Sequence, residues 1–151
     1  MALIPVCVGV FIAADDQTVV VTVLPRIMLD MQVPVTELDR ASWTITGYLL
    51  GYLVAMPLIG RLSDVWGHRT IFVWSLVLFM VGSALVALTT SLDWLVAARV
   101  FQAVGAGALV PISIAIVGDL FPSNRRGLPM GLIGASAEAG GVIGPLWGGI
   151  I

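Results

Sequence analysis

Five stretches of this chain are long and apolar enough to cross a lipid bilayer as helices: Ile4–Leu29, Ala41–Arg61, Thr70–Thr90, Trp94–Gly118 and Leu128–Ile151. A helix needs about 20 apolar residues to cross a hydrocarbon core of about 30 Å. Strands of a membrane barrel are shorter and alternate in polarity, and these blocks do neither. A helix satisfies its backbone polar groups within the segment, which lipid demands. The composition agrees: 59% of residues are hydrophobic and 11% charged, about half the charged fraction of a soluble domain. The expected fold class is all-α, a polytopic membrane bundle of about five transmembrane helices.

The charge pattern excludes several functions. The net charge is −2, there is no lysine and no basic stripe, so no nucleic-acid partner is expected. The single Cys7 has no disulfide partner within the chain and no metal-ligand companion, and reads as a buried, inert thiol. One histidine, no zinc spacing and no nucleophile–base constellation argue against an enzyme, so no catalytic residue, metal or cofactor is assigned. The first block carries two acids and lacks the basic start and small-residue cleavage site of a signal peptide.

The connections are short: Asp30–Arg40, Leu62–Arg69, Ser91–Asp93 and Asp119–Gly127. Such loops predict that consecutive helices are antiparallel neighbours. Arg61, Arg69, Arg125 and Arg126 lie at the second and fourth connections, whereas Arg26 and Arg40 flank the first. The positive-inside rule then places the N-terminus and the second and fourth connections in the cytoplasm. Trp43, Trp66 and Trp94 lie near span ends, where tryptophans anchor helices at the interface. Residues 1–151 read as one partial transmembrane domain that stops within its fifth helix, a fragment of a longer protein or a truncated one.

Four charged residues fall inside the spans away from their ends: Asp15, Asp16, Arg99 and Glu138. Each costs about 2.5–3.5 kcal/mol at a helix centre, and such residues face a cavity or a partner. Asp16 lies about 18 Å along the helix from Ile4, at mid-bilayer. Adjacent helical residues point about 100° apart, so Asp15 and Asp16 do not form a catalytic dyad. A single desolvated carboxylate suits proton or cation handling, its pKa raised by burial and lowered by a nearby cation. Arg99 is the cation among these four. The other reading is that one aspartate hydrogen-bonds a neighbouring helix. Glu138 reads as a second carrier, a contact for a cationic substrate, or a structural partner for another helix.

Four motifs together resemble the major facilitator superfamily. Gly60–Thr70, GRLSDVWGHRT, is similar to the signature of the loop between its second and third helices. Gly60, Leu62, Asp64, Gly67 and Arg69 match, while Val65 and His68 replace basic residues. Glycine permits a tight turn, and Asp64 is suited to cap a helix N-terminus. The resemblance implies a loop that latches the two halves of a transporter. His68 is either a solvated loop residue or makes that latch pH-sensitive. Ala97–Pro111 is similar to the fourth-helix signature through Arg99 and Gln102, with Ala103 in place of its first glycine. Gly140–Gly149, GGVIGPLWGG, resembles the fifth-helix antiporter signature, with Gly140, Gly144 and Gly148 on one face, Pro145 as a bend and Gly149 closing the motif. Asp16–Pro25 resembles the first-helix signature of fourteen-helix drug:proton antiporters, through Asp16, Thr18, Val19, Val20, Leu24 and Pro25.

The resemblance implies the N-terminal part of a proton-coupled exporter that moves drugs or other amphipathic small molecules by alternating access. Asp16 is then the proton carrier, tuned by Arg99, with Asp15 beside it. Helices 1, 4 and 5 line the cavity, with Glu138 and Gln102 as substrate contacts, and the fifth-helix bend packs against the opposite half. The expected partners are the lipid bilayer, protons, a cationic or amphipathic substrate and the remaining helices of the transporter. The energy source is a proton gradient, and the location is the plasma (inner) membrane. The alternatives are a superfamily transporter of metabolites, sugars or siderophores, or a non-transporting membrane module that needs partner helices.

Overall fold

A computed structural model describes residues 3–30, 32 and 34–150. The described residues form five long helices and no strand: α1 (Leu3–Asp30), α2 (Leu38–Trp66), α3 (His68–Ala87), α4 (Leu92–Leu120) and α5 (Gly127–Ile150). Single turns of 3-10 helix at Val35–Glu37 and Ser123–Arg125 lead into α2 and α5. Four helices, α1 to α4, are long and apolar enough to cross a membrane. The fifth, α5, has 24 residues and carries Glu138 within it. The expected end of the fifth span at Ile151 and parts of the first connection lie outside the described residues.

The helices run further than the hydropathy blocks. Residues Leu62–Trp66, expected in a loop, are the last turns of α2. Polar side chains there do not stop a helix whose backbone bonds continue; Gly67 stops it. Gly67 has φ +90°, the left-handed region open to glycine. It ends α2 with its N–H donated to the Ser63 carbonyl and starts α3 with its carbonyl accepting from Ile71. Gly60 is different: it sits inside α2 with open space where a Cβ would point, so it takes no part in the turn. Asp64 caps no helix either, because it too lies within α2.

The packing keeps only part of the expected neighbour pattern: α3 and α4 pack together as consecutive helices, and the other large interfaces join helices that are not consecutive in the chain. The main interfaces are α1 with α5, α2 with α4 and α3 with α4, whereas α1 and α2 barely touch. The reason is where the small residues lie. On α5, Gly140, Gly144 and Gly148 rest directly on the α1 backbone. A Cβ at Gly140 would strike the Phe11 carbonyl oxygen, one at Gly144 would strike Thr18, and one at Gly148 would strike Thr22. The glycine face therefore seats α5 on α1 of the same half. On α4, a Cβ at Gly107 would strike the Tyr52 carbonyl of α2, and one at Gly105 would come 2.6 Å from the Phe79 nitrogen of α3. Without interhelical water to expel, close backbone approach is what drives helices together in lipid.

The best-buried helix is α4, at the centre of the bundle. Ala103, Ala106, Ala108, Leu109, Ile112 and Val117 are inaccessible. The outer faces of α2 and α3 carry exposed Leu53, Leu58, Trp74 and Met80, a surface fit for lipid tails. Trp43, Trp66 and Trp94 are exposed near helix ends.

Candidate functional site

Arg99 and Asp16 meet in the middle of the bundle. Arg99 Nη1 donates to Asp16 Oδ2 at 2.7 Å across the α1–α4 interface. The same nitrogen donates to Gln102 Oε1 at 3.1 Å, one turn along α4. The Arg99 side chain is 4% exposed and that of Asp16 19%. A buried guanidinium needs a counter-charge, and Asp16 supplies it. The Tyr48 ring of α2 lies 5.4 Å from the Arg99 guanidinium carbon, within cation–π range. Three helices thus converge on one cation.

Beside Arg99 a cavity of about 320 Å³ opens between α1 and α2, lined by Gln17, Thr18, Val20, Val21, Thr44, Ile45, Tyr48, Leu49 and Arg99. It exists because α1 and α2 do not pack on each other. No carboxylate is among its lining residues. Around the ion pair, Arg99 Nε, Gln102 Nε2, Tyr48 Oη and Thr44 Oγ1 are buried with no hydrogen-bond partner among the described residues. Each can donate, so the centre holds a surplus of donors.

The other expected site residues fall elsewhere. Gln102 is fully buried and holds Arg99 rather than lining the cavity, because its amide oxygen is drawn to the guanidinium. Asp15 turns away from Arg99: its backbone lies under Gly140 and Gly144, and its Oδ1 is buried without a partner among the described residues. Glu138 is on an exposed part of α5, and α5 contributes nothing to the cavity wall. Helix α2 takes the place expected for α5, because the glycine face commits α5 to the far side of α1. Pro145 and Gly149 are exposed. Sequence reading missed Tyr48 and Thr44. The signal that marks them is the row Thr44, Tyr48, Tyr52 at a spacing of four, a polar stripe on one face of an apolar helix.

A second polar cluster sits at the α2–α3 turn. His68 Nδ1 lies 2.6 Å from Asp119 Oδ2 on α4, and Nε2 lies 3.2 Å from Asp64 Oδ1 on α2. His68 precedes the apolar stretch of α3, in the polar connection. Its hydrogen bond to Asp119 lifts the imidazole pKa above the ordinary histidine range, against the opposing effect of partial burial. His68 is therefore not a free loop histidine. Arg69 beside it is exposed. At the opposite end of α2, Arg40 pairs with Glu37 and with Asp93 at 2.8 Å each, both on the surface.

Comparison with known proteins agrees with this architecture. A family model described as Major Facilitator Superfamily matches residues 6–151. A triacylglyceride transporter of Mycolicibacterium hassiacum is 44% identical over 140 residues, covering 93% of this chain and 26% of its own length. One of Mycobacteroides abscessus is 42% identical over 140 residues, covering 93% and 27%. One of Mycolicibacterium smegmatis is 39% identical over 140 residues, covering 93% and 25%. The chain thus spans about a quarter of the length of these relatives.

Proposed function

The chain belongs to the major facilitator superfamily, and on that premise we propose that it works within a transporter that exports amphipathic small molecules in exchange for protons. The observation that carries the reading is the Arg99–Asp16 pair, buried between α1 and α4 beside a cavity. Asp16 carries the proton. The contact with Arg99 uses the carboxylate, and a proton placed on Asp16 removes its hold on the guanidinium. Arg99 then turns to the remaining partners, Gln102 and the Tyr48 ring. That exchange couples a proton to a change in how α1 sits against α4, the kind of rocking that alternating access uses.

The substrate reading shifts from a cationic drug toward a neutral amphiphile. The cavity lining holds Arg99 and no carboxylate, so it offers a cation nothing to pair with. The names of the relatives, transporters of triacylglycerides, point the same way. We place the transporter in the plasma membrane with the His68 end of α3 facing the cytoplasm, on the arginine distribution. Asp15 and Glu138 serve as secondary acids on the α5 side.

The test is transport by the full-length protein in proteoliposomes, with a fluorescent acylglycerol and a cationic dye as probes. Asp16→Asn abolishes gradient-driven export and Asp15→Asn retains it. Export by Asp16→Asn at the wild-type rate sinks the proton-carrier role. Export of the dye alone sinks the neutral-substrate reading.

A further inference from the structure

Both ring nitrogens of His68 face carboxylate oxygens, Asp119 Oδ2 at 2.6 Å and Asp64 Oδ1 at 3.2 Å. A neutral imidazole has one N–H and one lone pair. In that form one of the two contacts sets a lone pair against an anion. The imidazolium alone donates to both carboxylates. The three residues belong to three helices: Asp64 to the last turns of α2, Asp119 to the last turn of α4, and His68 to the start of α3. The side chains are 72%, 60% and 20% exposed, in that order, so protons reach the cluster from solvent.

We propose that His68 is a proton-operated clasp: protonated, it ties the ends of α2 and α4 to the start of α3; deprotonated, it releases Asp64. The neutral ring keeps the shorter bond, Nδ1–H to Asp119, and turns the Nε2 lone pair toward Asp64. The acids facing the ring come from α2 and α4, one each. The nearby cations are engaged elsewhere or exposed. Arg126 donates to the Phe121 and Gly118 carbonyls at the end of α4. Arg61, Arg69 and Arg125 are exposed and form no ion pair among the described residues. The folded pKa of His68 is raised. The contribution is therefore complete below the ordinary histidine range and is lost as pH rises through the raised folded value. On the face that the arginine bias assigns to the cytoplasm, acidification closes the clasp and alkalinisation opens it. An arginine at position 68 makes a clasp that pH does not open.

The test uses the full-length transporter in lipid nanodiscs, as wild type, His68→Arg, His68→Gln and Asp119→Asn. Nuclear magnetic resonance follows the His68 ring, identified by the signal that His68→Gln lacks. Amide exchange of residues 62–67 is compared with that of His68→Arg at each pH, which removes the intrinsic pH dependence of exchange. The ring titrates above about 6.5, and Asp119→Asn lowers the midpoint. The exchange ratio of wild type to His68→Arg is near one at about pH 6. It rises about two- to five-fold by about pH 9, the size of one solvent-exposed charged contact. A midpoint at or below about 6.5, a midpoint that Asp119→Asn leaves in place, or a ratio flat with pH overturns the clasp. His68→Arg and Asp119→Asn keep a cation or an amide where the native partner stood, so the comparison stands even if His68→Gln folds poorly.

Discussion

Removing the charge of Asp16 strands a cation in the middle of the bundle, and the size of that penalty follows from the geometry. Unit charges about 4 Å apart attract by about 4 kcal/mol at an effective dielectric constant of about 20. Breaking a buried pair by removing one partner costs about 3–5 kcal/mol. Two features of this site lower the figure. The Asp16 side chain keeps 19% of its surface accessible, so part of the pair is already solvated. The guanidinium also keeps Gln102 Oε1 and the Tyr48 ring, the latter worth about 1 kcal/mol. Asp16→Asn is therefore expected to destabilise by about 2–3 kcal/mol, and Arg99→Met by about 2 kcal/mol. The double variant leaves no orphan charge, so its cost falls short of the sum by at least about 2 kcal/mol. The assay is a double-mutant cycle on purified protein, unfolded reversibly by denaturant in mixed micelles. A coupling energy under about 0.5 kcal/mol would refute the reasoning. It would mean that the pair behaves as a solvated surface contact and that Arg99 is neutralised some other way.

Two further outcomes probe the packing that positions this pair. Gly144→Ala puts a Cβ against Thr18 and within 2.7 Å of the Asp15 carbonyl, a backbone atom that cannot yield. It is expected to lose about 1–3 kcal/mol by overpacking, whereas Gly149→Ala, with nothing within 4 Å, gains up to about 1 kcal/mol of helix propensity; equal thermal shifts of the 151-residue chain in detergent would count against the α1–α5 seat. Gly67→Ala meets no close neighbour but is forced to φ +90°, which costs about 1–2 kcal/mol; an unchanged melting temperature would show that the turn has another conformation open to it.

Much of the bundle was legible from hydropathy and glycine spacing. The long apolar blocks identify the helices, and the rule that buried charges need partners singles out Asp15, Asp16, Arg99 and Glu138. The glycine spacing on the fifth helix identified a packing face but not its partner. The identity of the partner depends on which helix has backbone free at the matching depth, and α1 has it at Phe11, Asp15 and Val19. The same limit hid Tyr48, and it left open that Gln102 turns to Arg99 and that Glu138 lies on the exposed side of α5, away from the α1–α2 cavity. A helical period says which residues share a face, and the neighbour of that face is set by the other helices.

The distinction between Asp15 and Asp16 shows the division most clearly. By itself the sequence determined that two carboxylates lie at mid-membrane on adjacent directions of one helix, and that one arginine away from the span ends, Arg99, could answer them. Its motif pattern favoured Asp16. Only the tertiary structure decided the matter physically. Seating the α5 glycines on α1 buries the Asp15 backbone in that interface and rotates Asp16 toward α4, 83 residues away in the chain. Local propensity and hydropathy act over a few turns. A pairing across 83 residues depends on the rotation of whole helices about their axes, which close packing of small residues sets.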